Sequence, residues 1–116
     1  MRKIIFLTVL CFFVFMCSGV YAHPPSAIKA EYNAVTRILT IIITHPVSNA
    51  ETHYISKVDV RLNGKEIIEH QISRQDNNGS QFAVYMVPDA KVGDTIAVEA
   101  YCSISGKLKK ELKVSG

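Results

Sequence analysis

Apolar and polar positions alternate through most of the chain after residue 22. From Val35 to His45, the residues Val35, Leu39, Ile41 and Ile43 share one face, while Thr36, Thr40 and Thr44 occupy the other. Arg37 interrupts the apolar face near its start. The density of β-branched side chains predicts a strand here. Tyr54 to Leu62 repeats the pattern, with Val58, Val60 and Leu62 inward and Lys57, Asp59 and Arg61 outward. Asn63-Gly64 then predicts a two-residue hairpin turn, because both residues tolerate positive φ, and Lys65 to Ile72 is its returning strand. Ser73 to Ser80 is polar, carries Asn77, Asn78 and Gly79, and predicts a loop. Gln81 to Val87 predicts a strand, Pro88 to Asp94 a turn-rich connection, and Thr95 to Ile104 a strand with Ile96, Val98, Ala100, Cys102 and Ile104 inward. Ser105-Gly106 turns the chain into a last strand, Lys107 to Val114. With a first strand near Ala27 to Tyr32, about seven strands result, at the spacing of an all-β, immunoglobulin-like β-sandwich.

Residues 1–22 follow a different pattern. Arg2 and Lys3 precede an apolar run from Ile4 to Cys17, and Val20-Tyr21-Ala22 sets small residues where a signal peptidase reads them. This predicts a signal peptide over 1–22, cleavage between Ala22 and His23, and an exported, periplasmic domain over 23–116. The run is shorter than the roughly 20 residues of a membrane span, so no membrane attachment is expected after cleavage. Loss of Arg2 and Lys3 takes the 13 basic residues to 11 against 10 acidic ones. That near-neutral balance gives no reason to expect a nucleic-acid partner. Cys11 and Cys17 depart with the signal, leaving Cys102 alone in an oxidising compartment. There it is a free thiol, an intermolecular bridge, a metal ligand or a buried structural residue.

The candidate chemistry lies in the histidines and Cys102. His45-Pro46 closes one predicted strand, His53 opens the next, and His23 would begin the mature chain. Strand ends on one rim of a sandwich meet in space. Imidazole nitrogens with a cysteine thiolate suit iron, copper or zinc. Each residue also has an ordinary reading: a His-Pro strand stop, a surface histidine, a packed cysteine. His70 shares a face with Ile68 and Ile72 and reads as a core or edge histidine. No phosphate loop, CxxC pair or nucleophile elbow is present.

The segments Thr44-His45-Pro46, Glu51-Thr52-His53-Tyr54-Ile55 and Val58 to Gly64, together with Ala100-Tyr101-Cys102-Ser103-Ile104-Ser105-Gly106, resemble the superoxide reductase family (neelaredoxin and the iron domain of desulfoferrodoxin). The resemblance spans essentially all of 23–116. It implies an immunoglobulin-like sandwich with one iron on a loop rim, held by four equatorial histidines and an axial cysteine. On that basis His23, His45 and His53 would be equatorial ligands and Cys102 the axial thiolate. The implied activity is one-electron reduction of superoxide or another small oxidant, supplied by a small electron-donor protein. The sequence departs from the family pattern at Ser105, where the fourth histidine stands. It departs also at Ala22 and Tyr21, which replace a lysine and a glutamate, and in the longer interval between His45 and His53.

Two other readings accompany this one. If cleavage makes His23 the terminal residue, its α-amine and imidazole could chelate together and favour copper over iron. The run Ile43 to Pro46 followed by Asn63-Gly64-Lys65 also resembles the small sandwich subunit of the thiosulfate-oxidation carrier complex, a binding module without chemistry of its own.

Overall fold

The computed structural model describes residues 23–116; the predicted signal segment lies outside them. The described residues form seven strands: β1 Ala27–Asn33, β2 Ile38–Thr44, β3 Ile55–Leu62, β4 Lys65–Gln71, β5 Ser80–Met86, β6 Thr95–Cys102 and β7 Lys107–Lys113. They make two antiparallel sheets, β1-β2-β5 and β4-β3-β6-β7, in a sandwich-like arrangement. Hairpins join β1 to β2, β3 to β4 and β6 to β7, while the chain crosses between sheets after β2, β4 and β5.

The alternation builds the core. Leu39, Ile41 and Ile43 of β2 face Val58 and Val60 of β3 and Ile96 and Val98 of β6, all of them fully buried. At one open side of the sandwich His70 on β4 meets Tyr85 on β5, Nδ1 lying 2.8 Å from the phenol oxygen. His70 is therefore an edge residue tying the two sheets, as its position beside Ile68 suggested. Burial pushes the Tyr85 phenol up to about 12, which keeps it protonated and able to hydrogen-bond. Asn63 and Gly64 adopt positive φ of 51° and 86°, the mirror-image turn that matches the twist of paired strands.

Two strand limits differ from the sequence expectation by more than one residue. The second strand begins at Ile38 rather than Val35, and Val35 is 91% exposed. Asn33 Oδ1 accepts from the amides of Val35 and Thr36 at 2.9 and 3.1 Å, and Arg37 takes a φ of 62°. This side-chain-closed turn competes successfully with the ladder. β6 ends at Cys102, and Ile104 is exposed rather than inward. The Cys102 amide donates to the Gly106 carbonyl at 2.9 Å, so the hairpin closes early and Ile104 sits in its bend.

The crossing pattern matters for function. The ends of β2 and β6, the starts of β1 and β3, and the loops 45–54, 72–79 and 103–106 all lie on one rim.

Candidate metal centre

His23, His45 and His53 meet on that rim. One ring nitrogen of each lies within 4.8 Å of the others. The ring centroids are 4.8–5.1 Å apart. Cys102 joins through His53, whose Nε2 is 3.2 Å from Sγ. Cys102 is buried and makes no disulfide. His70, held against Tyr85 of β5, is not in the group.

The loops set these positions by their own hydrogen bonds. The carbonyl of Asn49 accepts from the His53 amide at 3.0 Å, and its side chain accepts from the Glu51 amide, giving a tight turn that delivers His53 just before β3. Ser103 locks the Cys102 hairpin to that turn: its amide donates to the Tyr54 carbonyl at 2.8 Å and its hydroxyl accepts from the Tyr54 amide at 3.1 Å. Gly106 controls His23. Its φ is 89°, and a Cβ there would stand 2.9 Å from Pro24 Cβ. Only glycine lets the His23-Pro24-Pro25 segment lie against the hairpin. Gly106→Ala is expected to cost about 1–2 kcal/mol through the left-handed backbone alone and to push His23 off the cluster. A thermal melt and a metal titration check this; unchanged metal affinity would show that His23 is placed by something else.

Gln75, in the β4–β5 loop and only 3% exposed, fixes one end of the His45 ring. Its Nε2 donates to the carbonyls of His45 and Asn77 at 2.8 and 2.9 Å. That fixes which end of the amide is oxygen. Oε1 then accepts from the Ile55 amide at 3.2 Å and lies 2.8 Å from His45 Nδ1. A carbonyl oxygen cannot donate, so Nδ1 carries a proton, while Nε2 faces a second carbonyl oxygen, that of His23, at 3.3 Å. A neighbour that orients a histidine through its Nδ1 proton in this way is the usual companion of a metal-binding imidazole. Sequence reasoning missed Gln75, Ser103 and the role of Gly106: each is an unexceptional loop residue, and no local pattern marks it.

Burial, then the neighbouring His45 and His23, hold His53 below its ordinary value of 6.5. Its neutral form is therefore the one the fold prefers. Below the unfolded value the unfolded chain binds more protons, so stability of the metal-free protein should fall as pH drops through 6.5 towards the lower folded value, and be fully present above it. Urea midpoints measured between pH 5 and 8 test the sign; a midpoint that rises on acidification would contradict it.

The donor set fits a transition metal. Three imidazoles and one thiol are borderline-to-soft ligands suited to iron, copper or zinc. Nitrogens sharing one ion at bonds of about 2.1 Å stand at most about 4.2 Å apart, so the rings need move only slightly. The Sγ-to-Nε2 distance of 3.2 Å already falls within the reach of one ion. Ser105 is exposed in the hairpin bend.

No known family profile matches the sequence, and no curated protein is detectably similar to it. Solved structures do resemble it. The chain shares its fold with a superoxide reductase. That protein, the one-iron enzyme of Giardia intestinalis, superposes with a TM-score of 0.61 at 18% identity, over 79% of this chain and all of the other. A hypothetical protein of Pyrococcus horikoshii OT3 superposes with a TM-score of 0.52 at 13% identity, over 84% of this chain and 94% of the other. At such identities the likeness establishes the fold, and the site must be argued from its own residues.

Proposed function

We propose that this chain is an exported metalloprotein that holds one iron on His23, His45, His53 and Cys102 and reduces superoxide, or a related small oxidant, by one electron. The observation that carries the reading is the convergence of three imidazoles on one rim, with the Cys102 sulfur against His53 and the His45 ring oriented by Gln75. The fold shared with a superoxide reductase supports it.

Bound iron would supply the one-electron couple and a coordination position open to a small ligand. The residues of the chain do the rest. Gln75 orients the His45 ring through its Nδ1. The depressed basicity of His53 keeps its imidazole free of a competing proton at neutral pH. The Cys102 sulfur offers electron density, moderated by the Ile104 amide, which donates to it over 3.5 Å. The site is at the end of the sandwich, where His23 and His53 are half-buried and His45 and Cys102 buried.

A second reading draws on the placement of His23, whose carbonyl lies 3.3 Å from His45 Nε2. Cleavage before His23 would put its terminal amine beside the cluster as a further nitrogen donor, and copper would then compete with iron.

Metal analysis and an absorption spectrum of protein exported through its own signal test these readings. About one iron per chain with a sulfur-to-iron band supports the first. Copper, lost when one residue is added before His23, supports the second. No metal after reconstitution with either would overturn both and leave a binding module.

A further inference from the structure

The outward face of the four-stranded sheet carries a second group of ligand-type side chains, unrelated to the histidine rim. Glu69, Asp59 and Glu99 stand directly opposite one another on β4, β3 and β6. Like charges facing each other across strands are destabilising, and each needs an answer. Glu99 has one: Arg61 and Lys107 lie at 3.6 Å, and the Tyr101 hydroxyl donates to it. Glu66 would project to the opposite face of a regular ladder, being three residues from Glu69. The register shift between Val60 and Arg61 pairs it with Arg61 and turns it onto this same face. Carboxylate oxygens of Asp59, Glu66 and Glu69 consequently lie within 4.8 Å of one another.

Asp59 is the telling member. It is 2% exposed; its Oδ2 is 3.5 Å from Lys57 Nζ, and its buried Oδ1 has no hydrogen-bond partner. A buried carboxylate oxygen without a partner is costly, and buried charges are found paired or bound to metal. Glu66 and Glu69 are exposed, so the cluster is open to solvent. The Arg61 contact to Glu66 is loose, at 3.9 Å.

We propose that Asp59, Glu66 and Glu69 form a binding site for a hard divalent cation of the calcium type, clamping the edge strand β4 to β3 at its bulge. The donors are all oxygens, which suit calcium, magnesium or manganese rather than the metals of an imidazole and thiolate site. Two flexible glutamates around one fixed aspartate give an irregular shell, which calcium accepts and magnesium does not. Lys57 can remain on Oδ2 while the ion takes Oδ1. An open site with few protein ligands belongs with the weak extracellular class, Kd about 10⁻⁴–10⁻³ M.

Calcium titrated calorimetrically into the chelator-washed protein should bind once per chain in that range, and amide exchange from Ile67 to Gln71 should slow. Calcium has little affinity for imidazole or thiolate, so the readout is independent of the histidine rim. Glu69→Gln should weaken binding at least about tenfold through loss of ligand charge; Asp59→Asn should abolish it, and Glu31→Gln, on the other sheet, should leave it intact. Glu69 is exposed, so its variant carries the test even if Asp59→Asn does not fold. Absence of heat and of exchange protection up to about 10 mM calcium, or binding unchanged in Glu69→Gln, would overturn the proposal.

Discussion

Gln75→Leu is expected to unsettle the fold and the candidate metal centre together. The amide makes four hydrogen bonds, to the His45 ring, the His45 and Asn77 carbonyls and the Ile55 amide. Leucine fills similar space and satisfies none of them. Each buried polar group left alone costs about 1–3 kcal/mol. Some will find water at the rim, and a net loss of about 3–5 kcal/mol is expected, against the 5–15 kcal/mol that stabilises a domain. Metal affinity should drop about 10–100-fold in the fraction that folds, because His45 loses the partner that orients its ring. Gln75→Glu discriminates the two effects. It keeps an acceptor for His45 but turns a second oxygen towards two carbonyls, so stability should fall while the Nδ1 proton is retained. Urea unfolding and a metal titration on both variants give the answer. An undiminished metal affinity in folded Gln75→Leu would mean that His45 is not a ligand.

Cys102→Ser should have the opposite profile. The side chain is buried at the end of β6 and differs from serine by one atom, so stability should move by no more than about 1 kcal/mol. A hydroxyl can still receive the Ile104 amide and meet His53. The sulfur-to-metal absorption should vanish. Loss of a direct ligand should lower metal affinity or superoxide turnover by at least the roughly 10–100-fold that loss of an orienting neighbour produces. A variant with unchanged spectrum and metal content would reduce Cys102 to core packing.

Taken together the variants separate placement from coordination. Gly106→Ala acts on where His23 stands, Gln75→Leu on how His45 is oriented, and Cys102→Ser on the donor itself. All three leave the β3–β4 carboxylates untouched, so a calcium response retained in them would mark the two sites as independent.

The pattern of apolar positions was enough to set out the seven strands and the layered fold, because a period of two with β-branched inward residues leaves Leu39, Ile41, Ile43, Val58, Val60, Ile96 and Val98 one way to be buried. The Asn63-Gly64 hairpin was equally legible, since the turn depends on the conformational freedom of those two residues alone. The strand ends were not. Val35 continues the alternation, yet the Asn33 side chain closes a turn over it; Ile104 continues another, yet the Cys102–Gly106 hydrogen bond ends the ladder first. Both outcomes come from local side-chain and backbone pairing that hydrophobic periodicity does not encode.

Histidine and cysteine advertise their chemistry by residue type, so His23, His45, His53 and Cys102 could be nominated from the chain itself. Their meeting could not be derived from it: they come from four separate places, and it is the crossing of the chain between sheets that brings those places to one rim. Tertiary structure alone also chose Gln75 as the residue that orients the His45 ring, Gly106 as the one that admits Pro24, and a single bulge as the device that turns Glu66 towards Asp59. The sequence by itself determined the strands, because burial is a periodic demand on neighbouring residues. The sites were decided by the folded chain, because hydrogen-bond partners and ligand distances are set between residues far apart along it.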